Sequence, residues 1–234
     1  MNLFQISEEK FLEGQILLIE KPIGWSSFDV VKKIKYLIRK RYNLKKIKVG
    51  HAGTLDPLAS GLLIICTGKF TKKISEIQDK RKIYTGIITL GGTTPSFDLE
   101  TEIEKNYKTD HISEDLIKKT TTKFLGEINQ VPPIFSALKK DGERLYEKAR
   151  RGEKIKINSR KVTIYKFESK LLHKINVHFI IECSKGTYIR SIANDLGAAL
   201  NCGGYLSKLC RTDIGEFSLS NAMSINSFED HINT

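Results

Sequence analysis

Between Gly50 and Gly61 the chain reads GHAGTLDPLASG, and this stretch restricts the backbone more tightly than any other. Pro57 fixes its own φ and pushes Asp56 out of the α region, while Gly53 admits backbone angles closed to other residues. The Asp56 carboxylate is therefore held in place. An Asp-Pro pair after a glycine is by itself an ordinary turn signal, so assigning chemistry to Asp56 needs further support. Some lies just upstream, where Val30 to Leu55 contains nine Lys and Arg residues and no Asp or Glu. That segment carries nine of the formal net charge of +12. A pinned acid after a concentrated basic segment points to chemistry on a polyanion, the plainer alternative being a solvated basic helix.

With 234 residues, 40% of them hydrophobic, the chain has enough apolar material for one sizeable domain, with or without a small insertion. Cys66, Cys183, Cys202 and Cys210 form no C-x-x-C pair and have no histidine spaced to complete a zinc site. They are expected to be reduced and mostly buried. Met1 to Gly14 lacks the basic start and apolar run of a signal peptide, and no stretch approaches a membrane span. A cytoplasmic location is expected.

Gln15 to Glu20 reads as a strand, followed by a turn at Lys21-Pro22-Ile23-Gly24. A helix follows, capped by Ser26 or Ser27, with Phe28, Val31, Ile34 and Ile38, joined by Val30 and Leu37, as its apolar face. Leu62 to Cys66 reads as a buried strand and Lys72 to Ile77 as a short helix. Lys82 to Gly91 alternates as a strand, which aims Tyr84 at one defined face. The polar stretch Thr93 to Asp110 reads as a flexible excursion. Helices are expected over Ser113 to Leu125, Asp141 to Arg151 and Gly186 to Leu200, strands over Lys161 to Phe167 and Ile175 to Cys183, and mixed short elements from Gly203 to Leu219. Helices and strands intermingle without β-α-β regularity. That pattern predicts an α+β fold, a central mixed, mostly antiparallel β-sheet flanked by helices.

A second constellation is Gly186-Thr187-Tyr188-Ile189-Arg190, which follows a strand and opens a helix. Arg190 is placed to reach back toward the sheet edge, where its bidentate donors would keep Asp56 ionised and oriented; the alternative is a surface residue. Competing chemistries lack their motifs. Gly68-Lys69 is followed by Phe70 where a Walker loop needs Ser or Thr, no G-x-S-x-G occurs, and the five histidines show no zinc-type pairing.

Five segments in order together resemble the TruB-type pseudouridine synthases, which modify the T-loop of transfer RNA. They are LLIEKPIGWSSF (17–28), GHAGTLDPLASG (50–61), KRKIY (80–84), VPPIFSALKKDGERLYEKAR (131–150) and CSKGTYIRSI (183–192). The resemblance implies a single catalytic domain over 1–234 with the pseudouridine synthase fold, needing neither metal nor organic cofactor. It further implies that uridine at position 55 of the T-arm is flipped out, detached and rejoined through C5. Asp56 matches the aspartate nucleophile, whose attack falls on ribose or base. Tyr84 matches the aromatic residue stacked on the target base, near the C5 proton. Tyr188 matches the pocket tyrosine, Arg190 the arginine paired with the aspartate, and Leu209 a pocket wall. His51 matches the histidine touching RNA beside the flipped nucleotide, and Lys21 with Pro22 the K-P motif that helps build the site.

Two departures stand out. Thr93-Thr94-Pro95-Ser96-Phe97-Asp98 replaces a T-D-T-x-D pattern, keeping Asp98 but not the first acid, which bears on RNA clamping. The chain also stops soon after Leu219, so a C-terminal RNA-binding domain of the PUA type is expected to be absent and 220–234 to be a short tail. The RNA-contacting excursion around 93–153 is expected to be mobile without RNA. Transfer RNA is the expected partner of a monomeric catalyst with no membrane or obligate protein partner. A non-catalytic RNA-binding or transfer-RNA-folding protein, and a pseudouridine synthase acting on another RNA, are the alternatives.

Overall fold

The computed structural model describes residues 7–136, 138–153 and 155–233. The first part of the chain forms α1 (Glu8–Glu13), β1 (Ile16–Lys21), α2 (Ser27–Arg41), β2 (Val49–His51), β3 (Ala59–Thr67), α3 (Ile74–Asp79) and β4 (Lys82–Leu90). Then come β5 (Gly92–Thr93), β6 (Lys105–Asn106), α4 (Glu114–Thr121), β7 (Gly126–Gln130), β8 (Lys139–Lys140), β9 (Glu143–Arg144) and α5 (Leu145–Arg150). The chain finishes with β10 (Arg160–Leu172), β11 (Asn176–Cys183), α6 (Ile189–Ala199), β12 (Gly204–Ile214), β13 (Phe217–Ser218) and α7 (Ile225–Asn233). The fold is α+β with mostly antiparallel strand pairs, as the sequence predicts. Two compact units are distinguished, one of the residues up to Ile83 together with those from Cys210 onward, the other of Tyr84–Leu209.

In the first unit, β1 pairs antiparallel with β3 from Ile16↔Cys66 to Lys21↔Gly61, and β2 pairs with β3 through His51↔Ile65. The apolar run in β3 is buried on both faces. Leu63 and Ile65 face a cluster containing Val30, Ile34 and Ile38 of α2, whereas Leu62, Ile64 and Cys66 face a second cluster with Ile77 and Ile214. Ser26 caps α2 in a capping box with Asp29, a device worth about 1 kcal/mol. Phe28 departs from expectation: it is 60% exposed. It lies about 120° around the helix from the centre of the stripe formed by Val30, Val31, Ile34, Leu37 and Ile38, too far to share their core. The expected tail is instead α7, whose Ile225, Phe228 and Ile232 are buried in the α2 cluster.

In the second unit, β10 forms a long antiparallel hairpin with β11 and pairs on its other edge with β7. Phe124 meets Phe167 of β10 edge-on, centroids 6.0 Å apart. Along β4 the residues Tyr84, Gly86, Ile88 and Leu90 alternate as buried positions, so the expected facing of Tyr84 is observed. Helix formation across Asp141–Arg151 is only partial. Asp141 and Gly142, at φ 56° and 83°, make the two-residue turn of the β8–β9 hairpin, and the helix begins at Leu145. The Gly203–Leu219 region departs further, since most of it is the single strand β12. Its polar residues Ser207, Lys208, Arg211 and Asp213 obscure the apolar alternation in the sequence.

Candidate active site

Asp56 sits in the loop that joins β2 to β3, and nearly every peptide group around it is tied down. Ser27, 2% exposed at the start of α2, accepts a hydrogen bond from the Leu55 amide at 2.8 Å and donates to the Leu55 carbonyl at 3.1 Å. The Gly24 amide donates to Pro57 O at 2.8 Å, and the Ala59 amide to Asp56 O at 3.0 Å. Arg211, 1% exposed, reaches in from the other side: Nη2 donates to Gly53 O at 3.0 Å, Nη1 to Thr54 O at 3.4 Å and Nε to Leu62 O at 2.9 Å. One guanidinium thus spans both sides of the loop. Gly61 is needed where β3 passes this arginine, because a Cβ there would stand 2.3 Å from the Arg211 carbonyl oxygen.

Lys21 ends β1 opposite Gly61 and is fully buried. Its Nζ donates to Trp25 O at 2.6 Å, Pro22 O at 2.8 Å and Pro57 O at 3.5 Å. Burial lowers its pKa to about 8; the Asp56 charge works against that shift and Arg211 adds to it. Lys21 therefore remains mainly an ammonium at neutral pH, with Asp56 as its counter-charge. His51, on β2, has its pKa lowered by burial and then by Arg211, against a backbone hydrogen bond with Gly53 that raises it. The neutral imidazole is thereby favoured.

In the second unit Arg190 opens α6 and is 3% exposed. Its Nη1 lies 3.5 Å from Asp98 Oδ2 and donates to Ser96 O at 3.3 Å. Asp98, 5% exposed, is fixed in turn: Oδ1 accepts from the Glu100 amide at 2.9 Å, and its carbonyl accepts from Thr94 Oγ1 at 2.7 Å. The sequence pattern links the segment that keeps this acid to RNA clamping; in the structure Asp98 is an ion-pair partner of Arg190. Tyr188 is the N-cap of α6 and has no side-chain cap of its own. Gln130 supplies the anchorage: Nε2 donates to Tyr188 O at 3.0 Å and Oε1 accepts from Tyr188 N at 2.8 Å. The Arg160 guanidinium stands 4.6 Å from the centroid of the Tyr188 ring. Tyr84 is 9% exposed, and Leu209 is half-buried near the end of this unit.

The structure thus brings Lys21, His51 and Asp56 together in one unit, and places Tyr84, Tyr188, Arg190 and Leu209 in the other. Sequence reading missed the holding roles of Ser27, Arg211 and Gln130, and the pairing of Asp98. Among the described residues, no group of three or more His, Cys, Asp or Glu could hold a metal ion, and no helix is long and apolar enough to cross a membrane. Cys66, Cys183 and Cys202 are buried and Cys210 is half-buried, and none of the four is in a disulfide.

Comparison with known proteins gives concordant matches. Residues 39–189 match the TruB family pseudouridylate synthase (N terminal domain). The chain is 58% identical over 228 residues to the tRNA pseudouridine synthase B of Flavobacterium johnsoniae, covering 97% of this chain and 100% of the relative. It is 48% identical over 220 residues to the tRNA pseudouridine synthase B of Phocaeicola vulgatus, covering 94% of each. Among solved structures, a chain of a Cbf5-Nop10-Gar1 complex is 28% identical with a TM-score of 0.69 over 95% of this chain and 55% of that one. A chain of an H/ACA RNP bound to a substrate RNA containing 2′-deoxyuridine is 26% identical with a TM-score of 0.67, covering 94% and 53%. The present chain therefore spans about half the length of those solved chains. With its Asp56 loop intact and the match extending over most of its length, the chain belongs to the TruB family of pseudouridylate synthases.

Proposed function

We propose that this chain isomerises uridine to pseudouridine in transfer RNA, at position 55 of the T-loop, with Asp56 as the group that starts the reaction. The observation that carries this reading is the loop itself, in which Gly53, Thr54, Leu55, Asp56 and Pro57 all engage in backbone hydrogen bonds. A carboxylate pre-positioned in this way needs little reorganisation when charge moves. The target base first leaves its stack, because its reacting atoms are inaccessible within folded RNA. The glycosidic C–N bond then breaks, the base turns, and a C–C bond forms between ribose and C5. The C5 proton is lost and the former glycosidic nitrogen gains one, so product and substrate have the same composition.

Tyr84 stacks on the flipped base near C5, Tyr188 and Leu209 line its pocket, and Arg190 is held within its own unit by Asp98. His51 touches the RNA beside the target, and Lys21 keeps the loop and its charge in place. The two compact units make up one catalytic domain. It acts on the T-arm as a cytoplasmic monomer without a protein partner. Relatives named tRNA pseudouridine synthase B that are 58% and 48% identical support the substrate. The test is tritium release from a transfer RNA transcript labelled at uridine C5, comparing native protein with Asp56→Asn. Release by the native protein alone is expected; release by neither overturns the reading.

A further inference from the structure

Three large apolar side chains around the Asp56 loop face water in the first unit: Ile23 is 65% exposed, Phe28 60% and Leu58 41%. Scattered exposed apolar residues need no explanation, but these are attached to one rigid frame. Ile23 and Leu58 each adjoin a member of the Gly24–Pro57 backbone hydrogen bond, and Phe28 follows Ser27, which holds Leu55. These hydrogen bonds set the backbone that carries all three side chains. From Phe28 the exposed side of α2 continues as cations. Lys32, Lys35 and Arg39 lie within about 40° of Phe28 around the helix, and all three are exposed. Lys32 Nζ stands 4.7 Å from the centroid of the Phe28 ring.

An aromatic face beside ammonium groups matches unpaired nucleotides, in which a base offers a π-face and the backbone a phosphate. A paired helix hides its base faces and would use only the cations. The occupant indicated by charge complementarity is therefore RNA, since the Val30–Leu55 segment has nine cations and no acid. We infer that Ile23, Phe28 and Leu58, continued by Lys32, Lys35 and Arg39, form a docking surface for unpaired nucleotides of the substrate RNA outside the flipped base. This rests on the reading of Asp56 as the reacting group, because that reading brings an RNA loop to this frame. Phe28 stacks with a base, while Lys32 and Lys35 take adjacent phosphates.

The test is filter binding of native protein, Phe28→Ala, Phe28→Tyr and a Lys32→Gln/Lys35→Gln double variant to two RNAs at several salt concentrations. One RNA is a T-arm stem-loop; the other is a fully paired duplex with the same number of phosphates. Phe28→Ala is expected to weaken stem-loop binding roughly ten- to hundred-fold while leaving duplex binding as it was, with Phe28→Tyr close to native. The double variant is expected to reduce the salt slope on the stem-loop by about 0.7 per lysine. Native affinity of Phe28→Ala for the stem-loop, equal losses on both RNAs, or an unchanged slope in the double variant overturns the inference. Tritium release by native protein is read on the same stem-loop. Its absence, with discrimination between the RNAs retained, would sink the Asp56 chemistry and leave the docking surface standing.

Discussion

Ser27 grips Leu55 at both ends of its backbone, accepting from the amide at 2.8 Å and donating to the carbonyl at 3.1 Å. A single hydroxyl thus couples the first turn of α2 to the residue before Asp56. Ser27→Ala leaves two buried peptide groups without this partner, a loss of about 1–3 kcal/mol. Because the loop also loses its fixed bearing on Asp56, single-turnover tritium release is expected to fall by about tenfold or more beyond any change in RNA affinity. Equal rates for Ser27→Ala and native protein at saturating RNA would show that the hydroxyl serves stability only.

Arg190 and Asp98 form a buried pair, 3% and 5% exposed. Removing one member takes an ion-pair partner from a buried charge, a loss of up to about 3–5 kcal/mol. Asp98→Asn is expected to lower stability markedly in denaturant titration, whereas Arg190→Met combined with Asp98→Asn is expected to cost less than the sum of the single variants. A double-mutant cycle reads the coupling, with about 1–3 kcal/mol expected. Strict additivity would mean that the two side chains do not sense each other.

The rigid loop around Asp56 was legible in the sequence because Gly-rich turns and Asp-Pro pairs constrain the backbone locally, without help from distant residues. Most of the main strands were legible for the same reason, as β4 and β11 show by their alternation. Arg211 was not legible. Its role depends on approaching Gly53, Thr54 and Leu62, each about 150 residues away, and nothing local marks a basic residue in a strand for that task. Phe28 was misassigned because its spacing to Val31 and Ile38 fits a helical face, while the centre of that face is set by five other residues. The Asp141-Gly142 turn was readable from its dipeptide and was overridden by the apolar spacing around it.

Gln130 is fully buried and devotes both ends of its amide to the Tyr188 backbone. Gln130→Met preserves most of the volume and removes both hydrogen bonds, so the start of α6 loses its external anchor at about 1–3 kcal/mol. Gln130→Glu keeps the acceptor for the Tyr188 amide and loses the donor to its carbonyl. Tritium release is expected to rank native above both variants, and thermal unfolding to follow the same order. A Gln130→Met protein that matches native protein in both measurements would deny the anchor any importance.

Lys21 is expected to leave a signature in the alkaline range. Burial lowers its pKa to about 8, against about 10.4 for an unfolded lysine. Below about pH 8 the lysine is protonated in both states, and the folded chain carries the full penalty of a buried ammonium. Between about pH 8 and 10.4 the folded state releases its proton first, the unfolded state binds more protons, and stability rises by up to about 3 kcal/mol from this group. The buried thiol of Cys66, pushed up to about 11, works in the opposite direction, because its unfolded form ionises first. The informative quantity is therefore the difference between native protein and Lys21→Met, both of which retain Cys66. Denaturant titrations from pH 7 to 10 are expected to show the native protein gaining on the variant as pH rises. A constant difference across that range would mean that Lys21 keeps an ordinary pKa despite its burial.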